Sequence, residues 1–211
     1  MADDTLRSGE AVRLVVSQMD RAVETLTRAF QADPAYTYLF PDAARRSRSL
    51  RALWQGVATY CLTYGEVYTT LEVRGVACWL PPGNTEVTLW RQLRTRMALP
   101  RAVMAFEAAE RRRFLAALNH MEHIRRRIMP GPHWYLWALG VHPSHQGQGI
   151  GGRLIEPVLA RSGAERTPCY LEALTEPNVA FYRERGFEVA HDSEVPRLEL
   201  RVWAMVRKPQ G

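Results

Sequence analysis

A hydrophobic strand that runs into a glycine-rich loop and then a helix, between His133 and Leu159, constrains this chain more than any other stretch. His133 to Val141 is an aromatic and aliphatic run with the composition of a buried strand, and His142-Pro143-Ser144 breaks it. Gln146-Gly147-Gln148-Gly149-Ile150-Gly151-Gly152 follows, and apolar positions from Arg153 to Leu159 recur at helical spacing. Glycines crowded at a helix start leave backbone N–H groups unpaired and uncovered, and the helix dipole adds partial positive charge there. Such a loop holds a phosphate or a pyrophosphate.

Two patterns fit it. Gly147-x-Gly149-x-x-Gly152 matches the dinucleotide fingerprint, with Glu172 about 20 residues further on. That fingerprint turns straight off its strand into the first glycine, whereas His142 to Gln146 intervene here. The roughly sixty residues that remain hold one more βα unit and a hairpin, too few for a dinucleotide domain. The other pattern is Gln146-x-x-Gly149-x-Gly151. Pro168 to Leu174 reads as the next strand, and Asn178 to Phe187 as a short helix ended by Gly186.

The loop from Gln146 to Gly151 and the asparagine-to-Gly-Phe helix together resemble the acyl-coenzyme A binding core of the GNAT-type N-acetyltransferases. More narrowly, Trp134-Tyr135-Leu136, Leu139-Gly140-Val141, Cys169-Tyr170-Leu171-Glu172 and Phe181 to Val189 look like the branch that contains puromycin N-acetyltransferase. This closer likeness covers mainly the last eighty residues, so it does not carry the acceptor with it. The implied fold is α/β of the α+β kind, a mixed, mostly antiparallel GNAT-type sheet splayed at its middle, flanked by helices and carrying a helical insert.

The chain of 211 residues, 46% apolar and 24% charged, reads as one domain, residues 1–211. No apolar run approaches the roughly 20 residues of a membrane span, and Met1 to Glu10 is polar and acidic where a signal peptide would be basic and then apolar. A cytoplasmic protein without a membrane partner is expected. Cys61, Cys78 and Cys169, far apart and without a CxxC pair, read as small buried residues. The formal charge of +6 comes almost wholly from arginine. Arg45, Arg46, Arg48 and Arg51, Arg111 to Arg113 and Arg125 to Arg127 fall in helical stretches, where charge marks a solvated face, and no aromatic interleaving points to nucleic acid.

Ala11 to Val15 alternates as a first strand, then a helix opens with Asp20 as its N-cap and closes at Asp33-Pro34. Ala35 to Asp42 is rich in aromatics without a period; the resemblance puts it beside the acceptor pocket, with Tyr36, Tyr38 and Phe40 as lining residues, and plain core packing is the competing account. Arg45 to Tyr64 forms the next helix, and Val67–Thr70 and Gly75–Leu80 a hairpin. Residues 86–129 are helical, broken at Leu99-Pro100; the resemblance makes this insert an acceptor-side wall, with 133–191 the acyl-coenzyme A core. His120-x-x-His123 lacks a third ligand, so no metal is expected. Gly186 to His191 pairs with Leu198 to Arg207 across a polar connection of eight residues at most, from Asp192 to Glu199.

The resemblance also implies the chemistry. Backbone amides at Leu139 and Val141 bind pantetheine and the thioester oxygen of acetyl-coenzyme A, the co-substrate. Gln146, Gly147, Gln148, Gly149, Ile150, Gly151 and Gly152 surround the pyrophosphate, with Arg153 adding a charge-assisted bond. Asn178 matches the asparagine that holds the pantetheine arm, and Tyr182 the tyrosine that protonates the departing thiolate; a phenol pKa of about 10 suits that task. The strand before the loop has no carboxylate, so Glu172 is the candidate base, with loop capping as its other reading. The expected reaction is direct acetyl transfer to the primary amine of a small molecule. The alternatives are a catalytically silent acyl-coenzyme A binding module and a protein or peptide N-acetyltransferase; a homodimer is compatible with each.

Overall fold

The structure, a computed structural model, describes residues 10–209, so the reading of the polar N-terminal stretch falls outside the described residues save for Glu10. One sheet is built from β1 (Val12–Arg13), β2 (Glu66–Thr69), β3 (Gly75–Leu80), β4 (Trp134–Val141), β5 (Cys169–Ala173), β6 (Glu188–Glu194) and β7 (Arg201–Arg207). Its order is β1-β2-β3-β4-β5-β7-β6, antiparallel everywhere except between β4 and β5. The helices are α1 (Met19–Phe30), α2 (Pro34–Leu39), α3 (Ala43–Tyr64), α4 (Leu89–Arg94), α5 (Ala98–Met104), α6 (Ala108–Ile128), α7 (Ile150–Ala164) and α8 (Glu176–Arg183).

Both faces of the sheet are covered, which is why β3 reads as an unbroken apolar run and is buried at every position. Leu26 of α1 and Leu53, Trp54 and Val57 of α3 pack with Val76, Cys78 and Ala138 on one face. Leu154, Ile155 and Val158 of α7 pack with Ala77, Trp79 and Leu136 on the other. The expected stripe of α3, from Leu50 to Cys61, is buried as its helical spacing requires. All three cysteines are free and buried.

The sheet opens at its middle. Cys78 pairs with Ala138 but Trp79 pairs with Leu136, so Trp137 is an extra residue on β4, a bulge that bends the strand. The parallel ladder with β5 contains only the pairs Trp134–Cys169 and Tyr135–Tyr170, ending just before that bulge.

Several expected boundaries are corrected. The first strand shrinks to Val12–Arg13, because Val16–Gln18 coil into a 3-10 turn. Gln18, not Asp20, is the N-cap of α1; Asp20 lies in the first turn, where its charge favours the helix dipole. Helix α1 ends at Phe30, and Asp33 starts α2: its Oδ1 accepts from the N–H of Ala35 at 2.9 Å and of Tyr36 at 3.4 Å, with Pro34 in the first turn. A six-residue helix is too short to display a period. The insert holds three helices instead of two, with breaks at residues 95–97 and 105–107; Arg96 and Met97 in the first break have φ of 52° and 58°, while Pro100 sits in the first turn of α5, where a missing N–H costs nothing. Strand β6 continues to Glu194, which shortens the connection to residues 195–200.

Phe40 is packed in the core, as the competing account has it. Its ring has no exposed surface and packs edge-on to Phe106 at 4.9 Å, with Phe114 at 6.2 Å. Replacing it leaves a cavity between α2 and the insert, so Phe40→Ala is expected to lower the free energy of unfolding by about 3–5 kcal/mol in urea denaturation.

Candidate active site

A cleft of about 430 Å³ lies where β4 leaves β5, bounded by the end of α1, the loop after β4 and helix α8. On its β3 side the N–H of His142 is given to the carbonyl of Arg74, continuing the register that pairs Gly75 with Val141. Strand alternation therefore aims the N–H groups of Leu139 and Val141 at the open edge, where β5 supplies no partner. An extended ligand can take that place as an added strand would.

The loop at the cleft's outer end is shaped by Gly147 and Gly149, with φ of 75° and 73°, a conformation that side-chain-bearing residues avoid. Gly149 is the N-cap of α7, so the N–H groups of Ile150, Gly151 and Gly152 have no partner within the helix. The side chain of Gln146 folds back instead, donating from Nε2 to the carbonyl of Val141 at 3.1 Å. Gly152 serves a different end: a Cβ there would meet the guanidinium of Arg185 at 3.0 Å. Arg185 stacks on Phe181, its Cζ 3.7 Å from the ring centroid, and lines the cleft beside the loop, where its charge favours an anion.

A second, smaller cavity of about 120 Å³ continues inward and shares Phe30, Asp33, Leu139, Asn178 and Tyr182 with the first. Glu172 opens onto it, accepting a hydrogen bond from the Tyr135 hydroxyl at 2.8 Å. Burial lifts the Glu172 carboxyl to about 7, against the pull of that hydrogen bond and of nearby Arg125. Burial likewise raises the Tyr182 phenol, opposed by Arg185, so the hydroxyl keeps its proton. Asp33 is raised by burial too, with the α2 backbone N–H groups working against it. The junction thus has a carboxyl poised near neutrality on one side and a protonated phenol on the other.

Of the residues singled out from sequence, Leu139, Val141, Gln146, Gly147, Gly149, Ile150, Gly151, Asn178 and Tyr182 line the outer cleft, and Tyr36, Leu139, Glu172, Asn178 and Tyr182 the inner cavity. Gln148, Gly152 and Arg153 lie outside the outer cleft's lining; Gly152 and Arg153 line a neighbouring hollow with Glu156, Pro157 and Arg185. Tyr38 is likewise elsewhere, its hydroxyl accepting from the N–H of Glu199 at 3.0 Å. Glu172 caps no loop; its bond is to Tyr135.

Sequence reasoning missed Asp33, Arg185, Trp54, Trp137 and Phe114. Only Asp33 carried a local signal, because Asp before Pro is as good a helix start as a helix stop. It also misread Arg125, placed on a solvated face: the side chain is buried, bonded to Glu122 through Nη2 at 2.8 Å, with Cζ 5.5 Å from the Tyr135 ring centroid. His120, weighed as a metal ligand, has Nε2 2.9 Å from the Ser193 hydroxyl.

Comparison with known proteins places this geometry. Residues 85–187 match the model of the acetyltransferase (GNAT) family. A structure from Corynebacterium glutamicum, described as histone acetyltransferase HPA2 and related acetyltransferase, aligns at 23% identity with a TM-score of 0.69, covering 96% of this chain and 97% of that one. Arylalkylamine N-acetyltransferase 2 from Aedes aegypti aligns at 12% identity, TM-score 0.60, over 95% and 99% of the two chains. A Drosophila melanogaster polyamine N-acetyltransferase that forms N-acetylagmatine aligns at 15% identity, TM-score 0.59, over 94% and 98%. The fold is the GNAT fold.

The raised Glu172 carboxyl has a measurable sign. Its folded value, about 7, lies above the usual 4.5, so the folded state holds the proton longer and loses stability as pH rises between the two. Glu172→Gln removes that penalty. Its stability relative to wild type is expected to climb from pH 4.5 to pH 7 and then level off, by up to about 3 kcal/mol, in denaturation curves taken across that range.

Proposed function

We propose that this chain, with its GNAT fold and its family match over residues 85–187, is an acetyl-coenzyme A dependent N-acetyltransferase acting on the primary amine of a small molecule. One observation carries the reading: the outer cleft and the inner cavity meet at Leu139, Asn178 and Tyr182, with Glu172 on the inner side. The residues present fit the co-substrate. The glycine loop and Arg185 suit its pyrophosphate, and the open edge of β4 suits its extended amide-bearing arm. When bound, acetyl-coenzyme A supplies a thioester whose acetyl carbon exchanges its bond to sulfur for one to the amine nitrogen.

The chain's own groups manage the charges and protons. The N–H groups of Leu139 and Val141 face the edge where the thioester oxygen gathers negative charge. Glu172 accepts the proton that the amine gives up, and a carboxyl near 7 is half ready for this at neutral pH. Tyr182 returns a proton to the departing thiolate, and Asn178 holds the arm beside it. Helix α6 supports a small acceptor over a peptide, because Phe114, Leu118 and Met121 form a wall of the inner cavity where a peptide needs an open groove. The similar insect enzymes, named for arylalkylamines and for polyamines, support a small amine as well. The narrower likeness to the puromycin N-acetyltransferase branch makes puromycin one acceptor to include.

The test is mass analysis of products from purified protein, acetyl-coenzyme A and a panel of amines, with calorimetry of acetyl-coenzyme A alone. Binding and a product heavier by one acetyl group are expected; absence of binding overturns the reading, and binding without any product leaves a silent coenzyme-binding module in its place. Gly149→Val, which forces a β-branched residue to a φ of 73°, is expected to weaken acetyl-coenzyme A binding at least about tenfold. Tyr182→Phe is expected to lower kcat by about 10²-fold or more with acetyl-coenzyme A binding retained. In wild type, kcat/KM should rise with pH through about 7 as Glu172 loses its proton, and Glu172→Gln should remove that limb from the profile.

A further inference from the structure

The insert begins with two short helices, α4 and α5, that line neither cavity of the active site. Helix α4 is held by one face: Gln92 and the C-cap Thr95 are buried, and Arg91 donates to the carbonyls of Gly83 and Glu86 at 2.8 and 2.9 Å. On the other face Leu89, Trp90 and Leu93 recur at helical spacing and are 70%, 69% and 52% exposed. Arg94, one turn on from Trp90, is exposed as well. Helix α5 buries Leu99 and Ala102 and leaves Arg101 and Met104 exposed, with Arg96 exposed in the link between the two helices.

A lone exposed leucine needs no explanation, but three large apolar side chains on one face of one short helix do. The charges around them have a single sign. From Val87 to Phe106 the sequence has four arginines and no aspartate or glutamate, and Arg94, Arg96 and Arg101 form no ion pair with any described residue. We propose that this end of the insert docks the protein on the surface of an anionic lipid bilayer, with Leu89, Trp90 and Leu93 entering the boundary between headgroups and acyl chains and Arg94, Arg96 and Arg101 resting on the headgroup charges. Three features favour a bilayer over a folded partner. The apolar side chains project from a helix instead of lining a groove, and a fluid interface receives them without a matching pocket. An indole ring and arginines beside it suit the interfacial zone, where one end of each is apolar and the other wet. The unbalanced positive charge is complementary to anionic headgroups. Among the described residues no helix is long and apolar enough to cross a membrane, so the contact is peripheral. The proposal departs from the expectation of no membrane partner, which rested on the lack of a spanning run, and it does not depend on the acetyltransferase reading.

The test uses the full chain with vesicles of phosphatidylcholine alone and of phosphatidylcholine carrying about one-third phosphatidylglycerol, read by co-sedimentation and by tryptophan emission. Binding to the anionic vesicles is expected to exceed binding to the neutral ones at least about tenfold and to weaken as salt is raised. Trp90 is the exposed one of the six tryptophans, the others being buried or half-buried, so emission should shift to the blue on binding. Trp90→Phe should bind within about threefold of wild type and lose that shift, while Trp90→Ser combined with Leu93→Ser should weaken binding at least about tenfold. Arg94→Gln combined with Arg96→Gln should weaken it about tenfold or more, whereas Arg48→Gln combined with Arg166→Gln, which removes equal charge from α3 and from the turn after α7, should change it less than about threefold. Thermal unfolding followed by circular dichroism checks the fold of each variant, and Trp90→Phe and the arginine pairs keep the test decisive if the double serine variant melts early. No binding to anionic vesicles overturns the proposal. Binding without a blue shift overturns it too, as does binding that both arginine pairs weaken alike, which is attraction to the net charge of +6 alone. A dimer in sedimentation velocity that the double serine variant dissolves assigns the face to a second copy and likewise overturns it. Each of these failures leaves the acetyltransferase reading standing, since acetyl transfer is measured without vesicles.

Discussion

Hydrogen bonding between β4 and β5 stops after Tyr135, and the rest of the molecule is arranged around the edge this leaves. A backbone edge inside a domain carries donors and acceptors that need partners, so an opened sheet is costly unless something extended fills the gap. The bulge at Trp137 bends β4 at that point, and the β3 register beyond it keeps the N–H groups of Leu139 and Val141 turned outward. Helix α7 begins a few residues past the end of the same strand, so the anion-binding loop and the open edge line one cleft.

Opening the sheet also admits a buried polar chain under α6. Glu172 is bonded to Tyr135, whose ring lies near the Arg125 guanidinium; Arg125 is in turn bonded to Glu122 and lies 3.4 Å from His133 Nε2. The carbonyl of Gly131 can only accept, so His133 Nδ1, 2.7 Å away, is the donor and Nε2 is left to accept from Arg125. Burial holds His133 below its usual pKa, consistent with a neutral ring beside that cation. The chain ties α6 to the sheet next to the inner cavity and keeps a positive charge close enough to Glu172 to oppose its desolvation. Buried ionic groups of this kind are weak contributors to stability, and here their arrangement fixes a carboxyl near neutrality instead.

Five rings reach the inner cavity from separate parts of the chain. Phe30 ends α1, Tyr36 lies on α2, Trp54 on α3, Phe114 on α6 and Trp137 at the bulge of β4. None of these rings has a local pattern that separates it from a core residue, and Phe40, four residues from Tyr36, packs away from the cavity. The same holds for charge: Arg125 to Arg127 are consecutive arginines, yet Arg125 is buried under the helix and Arg126 is exposed.

The sequence by itself determined the strand, the glycine loop, the helix behind it and the Asn178 to Phe187 segment, because each is specified by neighbours a few residues apart: glycines that permit positive φ, apolar positions at the helical period, a proline or glycine at an end. Only the tertiary structure decided where β4 parts from β5, that Asp33 stands at a junction of cavities, that Glu172 faces Tyr135 and is pushed up by burial, and which rings enclose the inner space. Those properties arise from contacts between residues far apart in the chain and from exclusion of water, and neither is written in the order of residues along any one segment.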